Sequence, residues 1–394
     1  MSTNPKTDVG PLARTPEEWA QAVLPLGGRA FHGKSVFKWL HGRGLTDPEQ
    51  MTDLPKALRT KLVEAGVGPV LEVAQERRAA DDTRKILVRM SDGATVETVL
   101  IPAVTGGRSD LPNPVEEDAD AAAAVDDEDE IPEEVAKEGP IRVTQCISTQ
   151  VGCAMGCVFC ASGVAGLKRH MSAAEIVAQV ILGRSRLDER EQLRNVVFMG
   201  MGEPLHNYEA TTRVLRLLTN ADGIGLSSRR ITISTSGLVP EIARLGEDFA
   251  GQVGLAISLH AADDETRTRL MPINKKYPLA KLMDALRAYP LPRRRRITIE
   301  YTLVAGKNDS PEEAKKLVKL LRGLQVKINL IPMNPIEAST LGPPNLAGVL
   351  AFQKILCDAG YSCFIRRRRG DEVSAACGQL AILGAKPKVR VDRT

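Results

Sequence analysis

The stretch "CISTQVGCAMGCVFC", residues 146–160, places four of the chain's seven cysteines in fifteen positions. Cys153, Cys157 and Cys160 stand at C-x3-C-x2-C spacing directly after a strand-like run at 142–149. Thiolates so spaced can wrap one face of an iron–sulfur cube, which ordinarily takes four cysteine ligands. No fourth cysteine follows at ligand spacing, so one iron would stay open to bind and activate a ligand. Two other readings are a closed zinc shell completed by His170 and plain buried cysteines.

From residue 141 the pattern is strand–helix alternation. Strands are predicted at 142–149, 195–200, 230–235, 254–259, 297–304, 326–332 and 361–366. Helices are predicted at 173–187, 207–219, 239–246, 279–289, 311–322 and 346–359. Some six β/α units imply a parallel sheet with helical crossovers, either open and doubly wound or an incomplete barrel. Both architectures bind ligands at the carboxyl ends of their strands. The unusual polar motifs fall at those ends: "GMGEP" (200–204), "STSG" (234–237), "SLH" (258–260) and "MNP" (333–335). They are expected to gather into one site.

Before this region, residues 15–80 read as helical. In "RAFHGKSVFKWLHGRG" (29–44), Phe31, Val36, Phe37, Trp39 and Leu40 recur at helical spacing. Phe37 and Trp39 read as packing residues rather than base-stacking platforms. "RKILVRMSDGATVETVLIP" (84–102) is two apolar-rich runs about Asp92-Gly93, a hairpin signal.

Composition bounds the function. A chain of 394 residues with 43% apolar content can bury a large core, and its length suggests two or three domains. No apolar run approaches the ~18 residues needed to span a bilayer. The start, "MSTNPKTDVGPLART", lacks a secretory apolar stretch. A cytoplasmic protein is expected, where an odd cysteine count favours metal or redox chemistry over a disulfide scaffold.

The net charge of +4 hides an asymmetry. Residues 104–140 carry thirteen Asp/Glu and two Lys/Arg, a net of −11 that leaves +15 on the rest of the chain. With almost no large apolar residues, this segment reads as a disordered acidic insertion. The basic remainder shows in "SSRRIT" (227–232), "PRRRRI" (292–297), "KNDSPEEAKK" (307–316) and "IRRRRGDE" (365–372). Consecutive arginines in a strand-like stretch alternate between faces, so some are expected to line a pocket. Such a body suits a phosphate-backbone partner. The predicted organisation is a helical N-terminal RNA-binding domain (1–80), a β-hairpin (81–103), the acidic insertion (104–140), a β/α body (141–385) and a basic tail (386–394).

"CAMGCVFC" with "MGMGEP" (199–204) resembles the radical S-adenosylmethionine superfamily. Together with "CISTQVGCAMGCVFC", "SLHA" (258–261), "NLIPMNP" (329–335) and "RGDEVSAACGQL" (369–380), it is similar to the RlmN/Cfr family of RNA methyltransferases, over roughly 29–102 and 141–385. The resemblance implies a partial (β/α)6 barrel of the radical-SAM type, with a small N-terminal helical domain and a β-hairpin extension. It implies one [4Fe–4S] cluster on Cys153, Cys157 and Cys160, whose open iron chelates S-adenosylmethionine, two molecules being consumed per methylation. Gly202, Glu203, Ser234, Ser258, Leu259, His260 and Asn334 carry over as cofactor contacts. Glu203 is suited to accept from the methionine ammonium, and Gly202 lets the backbone come close.

The same resemblance gives Cys377 the role of methyl carrier, passing through S-methylcysteine and a methylene radical that adds to adenine. Cys146 would take the C2 proton and resolve the adduct, leaving a Cys146–Cys377 disulfide for a cellular reductant. Glu97, in "VETV", matches a family proton acceptor but reads equally as a solvated hairpin residue, and the insertion separates it unusually far from Cys146. The implied substrates are C2 of adenosine in 23S rRNA at the peptidyl-transferase centre and in tRNA beside the anticodon. The implied partners are a one-electron donor and a thiol reductant, with no membrane and a monomeric chain. A C8-specific relative of the Cfr kind, or a non-catalytic RNA-binding protein with a structural metal, are the alternatives. Cys357 and Cys363 read as core residues, and His32, His41 and His206 carry no assigned role.

Overall fold

The computed structural model describes residues 9–103, 139–336, 339–366 and 369–380. The acidic run 104–138 and the tail 386–394 lie outside the described residues.

Strands β1 (Glu72–Arg78), β2 (Arg84–Arg89) and β3 (Thr95–Pro102) form an antiparallel meander that pairs through β3 with β4 (Ile141–Cys146). Two short strands, β5 (Gln150–Val151) and β6 (Arg169–His170), make a separate hairpin around the cysteine loop. The β/α body continues with β7 (Glu191–Phe198), β8 (Ile231–Thr235), β9 (Gly254–Ser258), β10 (Ile297–Leu303), β11 (Val326–Pro332) and β12 (Ser362–Ile365). All ten strands other than β5 and β6 join one sheet in the order β1-β2-β3-β4-β7-β8-β9-β10-β11-β12, and every pair from β4 onward is parallel.

The parallel strands are buried on both faces, so they read as near-continuous apolar runs; all seven residues of β10, "ITIEYTL", are buried. Helices cross between them with local start signals. Ala173–Arg184 opens on a capping box in which Ser172 Oγ accepts from Glu175 N and Glu175 Oε2 accepts from Ser172 N. Pro311–Leu320 starts on a Ser310 cap with proline in its first turn.

Each crossover adds the next strand on the same side, so the sheet winds in one sense as a partial barrel. Among the described residues no strand pairing closes it. Loop contacts bridge the open side instead: Arg369 Nη2 donates to Pro102 O (2.6 Å), Gly370 N to Asp81 Oδ2 (3.0 Å) and Lys85 Nζ to Ser374 O (3.2 Å). The segment leading to Cys377 is thereby tied to the antiparallel meander.

The hairpin about Asp92-Gly93 forms as expected, with Gly93 at φ +82° and Met90 N bonded to Ala94 O. The helical reading to residue 80 is corrected: Glu72–Arg78 is β1. "EVAQERR" is a mostly exposed edge strand without apolar alternation, and its β2 partner supplies the backbone bonds. Val36, Phe37, Trp39 and Leu40 are core residues, whereas Phe31 is 62% exposed and leaves the predicted apolar face.

The N-terminal helices Pro16–Ala22, Ala30–Phe37 and Lys56–Glu64 pack around Trp19, and a Cβ at Gly33 would lie 2.3 Å from Ala20 N, so only glycine allows that crossing. They dock on the outer helices of the barrel. Arg184 donates to the carbonyls of His41 (2.6 Å) and Gly42 (2.8 Å), and Arg213 reaches Ala13 O and Glu18. No helix among the described residues is long and apolar enough to cross a membrane.

Candidate active site

The carboxyl ends of the parallel strands open into one cavity. Ser234 of β8, Ser258 of β9, Glu300 and Thr302 of β10, Asn334 after β11 and Arg366 after β12 line its walls. The cysteine loop covers one side with Cys153, Cys157 and Cys160, and Cys377–Gly378 approaches from the C-terminal segment. The polar motifs of the sequence do converge, and they do so with the cysteines.

The cysteine loop is shaped by close backbone approaches. A Cβ at Gly163, in the short helix Ala161–Ala165, would lie 2.9 Å from both Cys157 N and Cys157 O. The C-terminal segment is stitched to that helix, with Ala161 N donating to Gly378 O (2.8 Å) and Ser162 Oγ to Leu380 O (2.6 Å). All seven cysteines are free thiols. Burial pushes Cys153 up to about 12, and it also raises Cys157 and Cys160, with neighbouring thiols adding to the effect. Three thiols that penalise one another's ionisation suit a cationic iron centre, which would hold them deprotonated. His170 is turned elsewhere: its Nδ1 lies 3.0 Å from Gln150 Nε2 and its ring 5.0 Å from His206.

The "GMGEP" turn is fixed against the strand ahead of the cysteines. Gly202 has φ +106°, and a Cβ there would sit 2.8 Å from Gln150 N. Gly200 is equally confined, 2.6 Å from Ile147 O. Gln150 Oε1 accepts from Glu203 N (2.9 Å). The Glu203 carboxylate is buried, accepting from Ser236 N (2.7 Å) and Leu205 N (3.1 Å); burial raises its pKa and those bonds oppose the rise.

His260 lines the cavity in a left-handed backbone conformation, φ +56°. Its Nδ1 accepts from Thr302 N (2.8 Å), which leaves Nε2 as the protonated nitrogen, and burial pushes the imidazole down to about 3. Leu259 differs: it is fully buried in the hydrophobic core and does not line the cavity. Arg267, which sequence reading missed, holds the loops from beneath by donating to Leu259 O (3.1 Å), Ser236 O (2.7 Å) and Asn274 Oδ1 (2.9 Å).

Asn334 Nδ2 donates to Cys377 O at 3.0 Å, and its Oδ1 is buried with no protein partner, an acceptor available to a cofactor. Cys146 ends β4 nearly buried. Burial pushes its thiol up to about 12, the charge of Cys377 adds to that, and Arg366 opposes it. Glu97 lies one strand over on β3, two residues from Val99, the register partner of Cys146. It is 8% exposed and paired with Lys85 Nζ at 2.9 Å, so it is not a solvated hairpin residue, and it does not line the cavity. Cys363 is core as expected, but Cys357 is exposed, because it sits on the outer side of the last turn of the helix Leu346–Asp358. Arg366 and Glu300 are further cavity residues that motif reading missed; the run of arginines was the one available signal.

Two family models match the chain. The Radical SAM superfamily matches residues 147–321, and the ribosomal RNA large subunit methyltransferase N-terminal domain matches residues 15–67. The dual-specificity RNA methyltransferase RlmN of Sorangium cellulosum is 66% identical over 384 residues, covering 98% of each chain. That of Syntrophobacter fumaroxidans is 43% identical over 92% of this chain and 94% of its own. The crystal structure of a radical SAM methyltransferase from Sphaerobacter thermophilus superposes with a TM-score of 0.80 at 39% identity, over 94% of this chain and 98% of that one.

Proposed function

Because the chain belongs to the RlmN family of radical S-adenosylmethionine RNA methyltransferases, we propose that it methylates C2 of adenosine in 23S rRNA and in tRNA, with Cys377 as methyl carrier. The observation that carries this reading is the approach of Cys377 to the cluster loop, with two hydrogen bonds joining Ala161 and Ser162 to Gly378 and Leu380. Cys377 lines the same cavity as the C-x3-C-x2-C cysteines, which supports its reading as the nucleophile.

The donor set fits the implied groups. Cys153, Cys157 and Cys160 would hold a [4Fe–4S] cluster, one per chain. Glu203, Ser234, Ser258, His260 and the unpartnered Asn334 Oδ1 would hold S-adenosylmethionine, with Gly202 admitting its backbone approach. When bound, these groups supply one-electron, hydrogen-abstracting chemistry beside the Cys377 sulfur.

The chain's own residues do the rest. The Cys377 sulfur would act as the methyl-accepting nucleophile, as thiolate, toward the activated methyl group that bound S-adenosylmethionine would supply. Neutral His260, held by Thr302 N, offers an Nε2–H donor rather than a charge. Cys146 would take the C2 proton of the joined base, pass it on, and attack the Cys377 sulfur as thiolate. The S–S bond forms as the sulfur–methylene bond breaks, and the departing carbon takes a proton to become the methyl group, which frees the methylated RNA and leaves a Cys146–Cys377 disulfide. A cellular thiol must reduce it. Glu97, paired with Lys85 on the neighbouring strand, would be the proton acceptor. The N-terminal helices Pro16–Ala22, Ala30–Phe37 and Lys56–Glu64 would help grip RNA. The chain would act as a cytoplasmic monomer with a one-electron donor.

The test is anaerobic cluster reconstitution followed by mass mapping of methyl groups on rRNA fragments and tRNA. Methyl at adenosine C2 in both substrates is expected. Methyl at C8, or RNA binding without methylation, would overturn the reading.

A further inference from the structure

The backbone N–H of Arg366, one residue past β12, still donates to Leu330 O of β11 at 2.8 Å, so the sheet fixes where its side chain starts. That side chain reaches the cavity, where it is the one Lys or Arg among the described lining residues. Its Nη1 lies 3.6 Å from Cys377 Sγ and 3.8 Å from Glu300 Oε2.

Glu300 is 3% exposed, and its other oxygen accepts from Asn329 Nδ2 at 3.0 Å. Asn329 is its cross-strand partner on β11 and is itself fully buried. A chain of side chains therefore runs Asn329–Glu300–Arg366–Cys377 across three neighbouring strands and ends on sulfur. Burying a carboxylate and a guanidinium inside a barrel is costly unless the pair has a task, and apolar residues of similar volume would pack at least as well. The task visible here is aim. The amide of Asn329 orients Glu300, whose Oε2 makes no hydrogen bond and lies 3.8 Å from the same Nη1 that reaches the sulfur, so the carboxylate steadies the guanidinium there by charge.

The cation is well placed in a second respect. Its own charge is favoured chiefly by Cys377, then by Glu300 and Cys146. Both reactive thiols thus feel the same guanidinium, while the other acid of the cavity, Glu203, is engaged with backbone N–H groups on a different wall.

We propose that Arg366 is a catalytic residue for the chemistry of Cys377, giving its sulfur a cationic partner aimed into the cavity, and that Glu300 is the positioning residue that holds the guanidinium there. The inference rests on the reading of Cys377 as methyl carrier. It extends that reading by stating what makes this thiol, among seven, the nucleophile.

The test reads the thiol directly. Reduced, cluster-containing protein is treated anaerobically with iodoacetamide at pH 7, and alkylation of the Cys377 peptide is followed by mass spectrometry. Exposed Cys357 serves as internal reference, and rate constants are compared, so any S-methylated fraction drops out. Arg366→Met should slow Cys377 alkylation about tenfold, because the sulfur loses the cation beside it. Arg366→Lys should restore the rate to within about threefold because it keeps the charge but loses the fork. Glu300→Gln should slow it roughly threefold, as expected for a guanidinium left poorly aimed.

Wild-type Cys377 rates in both Arg366→Met and Glu300→Gln, with Cys357 unchanged, would overturn the proposal. If Arg366→Met misfolds, exposing buried Cys363 to the reagent, Glu300→Gln and Arg366→Lys decide, and wild-type behaviour of the former removes its positioning role. Alkylation does not depend on methyl transfer. A missing methyl group on Cys377 would therefore strike the methyl-carrier reading alone and leave this result standing.

Discussion

Asn334 Nδ2 donates to the backbone carbonyl of Cys377 at 3.0 Å, joining the loop after β11 to the segment that carries the proposed nucleophile. The bond holds the thiol over the cavity from the main chain and does not engage the sulfur.

Replacing Asn334 by Ala should therefore loosen the Cys377 segment more than the fold. One such bond contributes about 1 kcal/mol to stability. Methyl occupancy of Cys377 should fall by about an order of magnitude if misplacement of the reacting atom dominates. Peptide mass spectrometry of protein made in cells measures the occupancy, and urea unfolding measures the stability. Equal methyl occupancy in the variant would show that the bond is incidental.

Gly202→Ala puts a methyl group 2.8 Å from Gln150 N at a backbone φ of +106°. The turn must shift, at a cost on the order of 1–3 kcal/mol, and Glu203 must move with it. A lowered urea midpoint and loss of S-adenosylmethionine binding by equilibrium dialysis should appear together. Binding that survives intact would exclude this turn from the cofactor site.

The two reactive thiols should fail at different steps. Cys377→Ala cannot be methylated and should give no RNA adduct. Cys146→Ala can be methylated and can join the base, but it lacks the group that resolves the adduct, so protein covalently linked to RNA should accumulate. The double variant should behave as Cys377→Ala alone, because the thiols act in sequence on one bond. A nuclease-sensitive slow band on a denaturing gel from Cys146→Ala only is expected. The same band from Cys377→Ala would refute the order.

Residues 104–138 can be excised at closely spaced ends, since Ala103 N donates to Arg142 O at 2.7 Å and Pro102 faces Val143 in the β3–β4 ladder. A short turn should bridge them. Removing a net −11 from the chain should hold or raise RNA affinity, most at low salt, where repulsion of the phosphate backbone is least screened. Filter binding across a salt series measures this, and a weaker complex at low salt would give the acidic run a positive role in binding.

His41 is buried beneath Phe37, its ring stacked at 4.4 Å, and burial pushes it down to about 4, with the charge of Arg184 adding to the effect. Between that value and 6.5 the unfolded chain binds a proton that the folded chain does not. Stability is then fully present above about pH 6.5 and lost as pH falls toward 4, by at most about 1.4 kcal/mol per unit for this group. His41→Gln should flatten the slope of urea stability against pH in that window. An unchanged slope would place the acid sensitivity elsewhere.

The sequence by itself determined what rests on local pattern. Apolar periodicity marked the seven parallel strands and the major crossover helices, Asp92-Gly93 marked the hairpin, and C-x3-C-x2-C after a strand marked the chemistry. These signals are legible because neighbours in the chain share one face, one turn or one metal. Tertiary structure decided the rest. It made Glu72–Arg78 an edge strand through pairing with β2, and it paired Glu97 with Lys85. It sent Leu259 to the core and its neighbour His260 to the cavity by a left-handed turn, and it brought Arg366 to Cys377. Each of those outcomes depends on partners supplied by other strands or by a turn the residue type disfavours, and no local propensity encodes either.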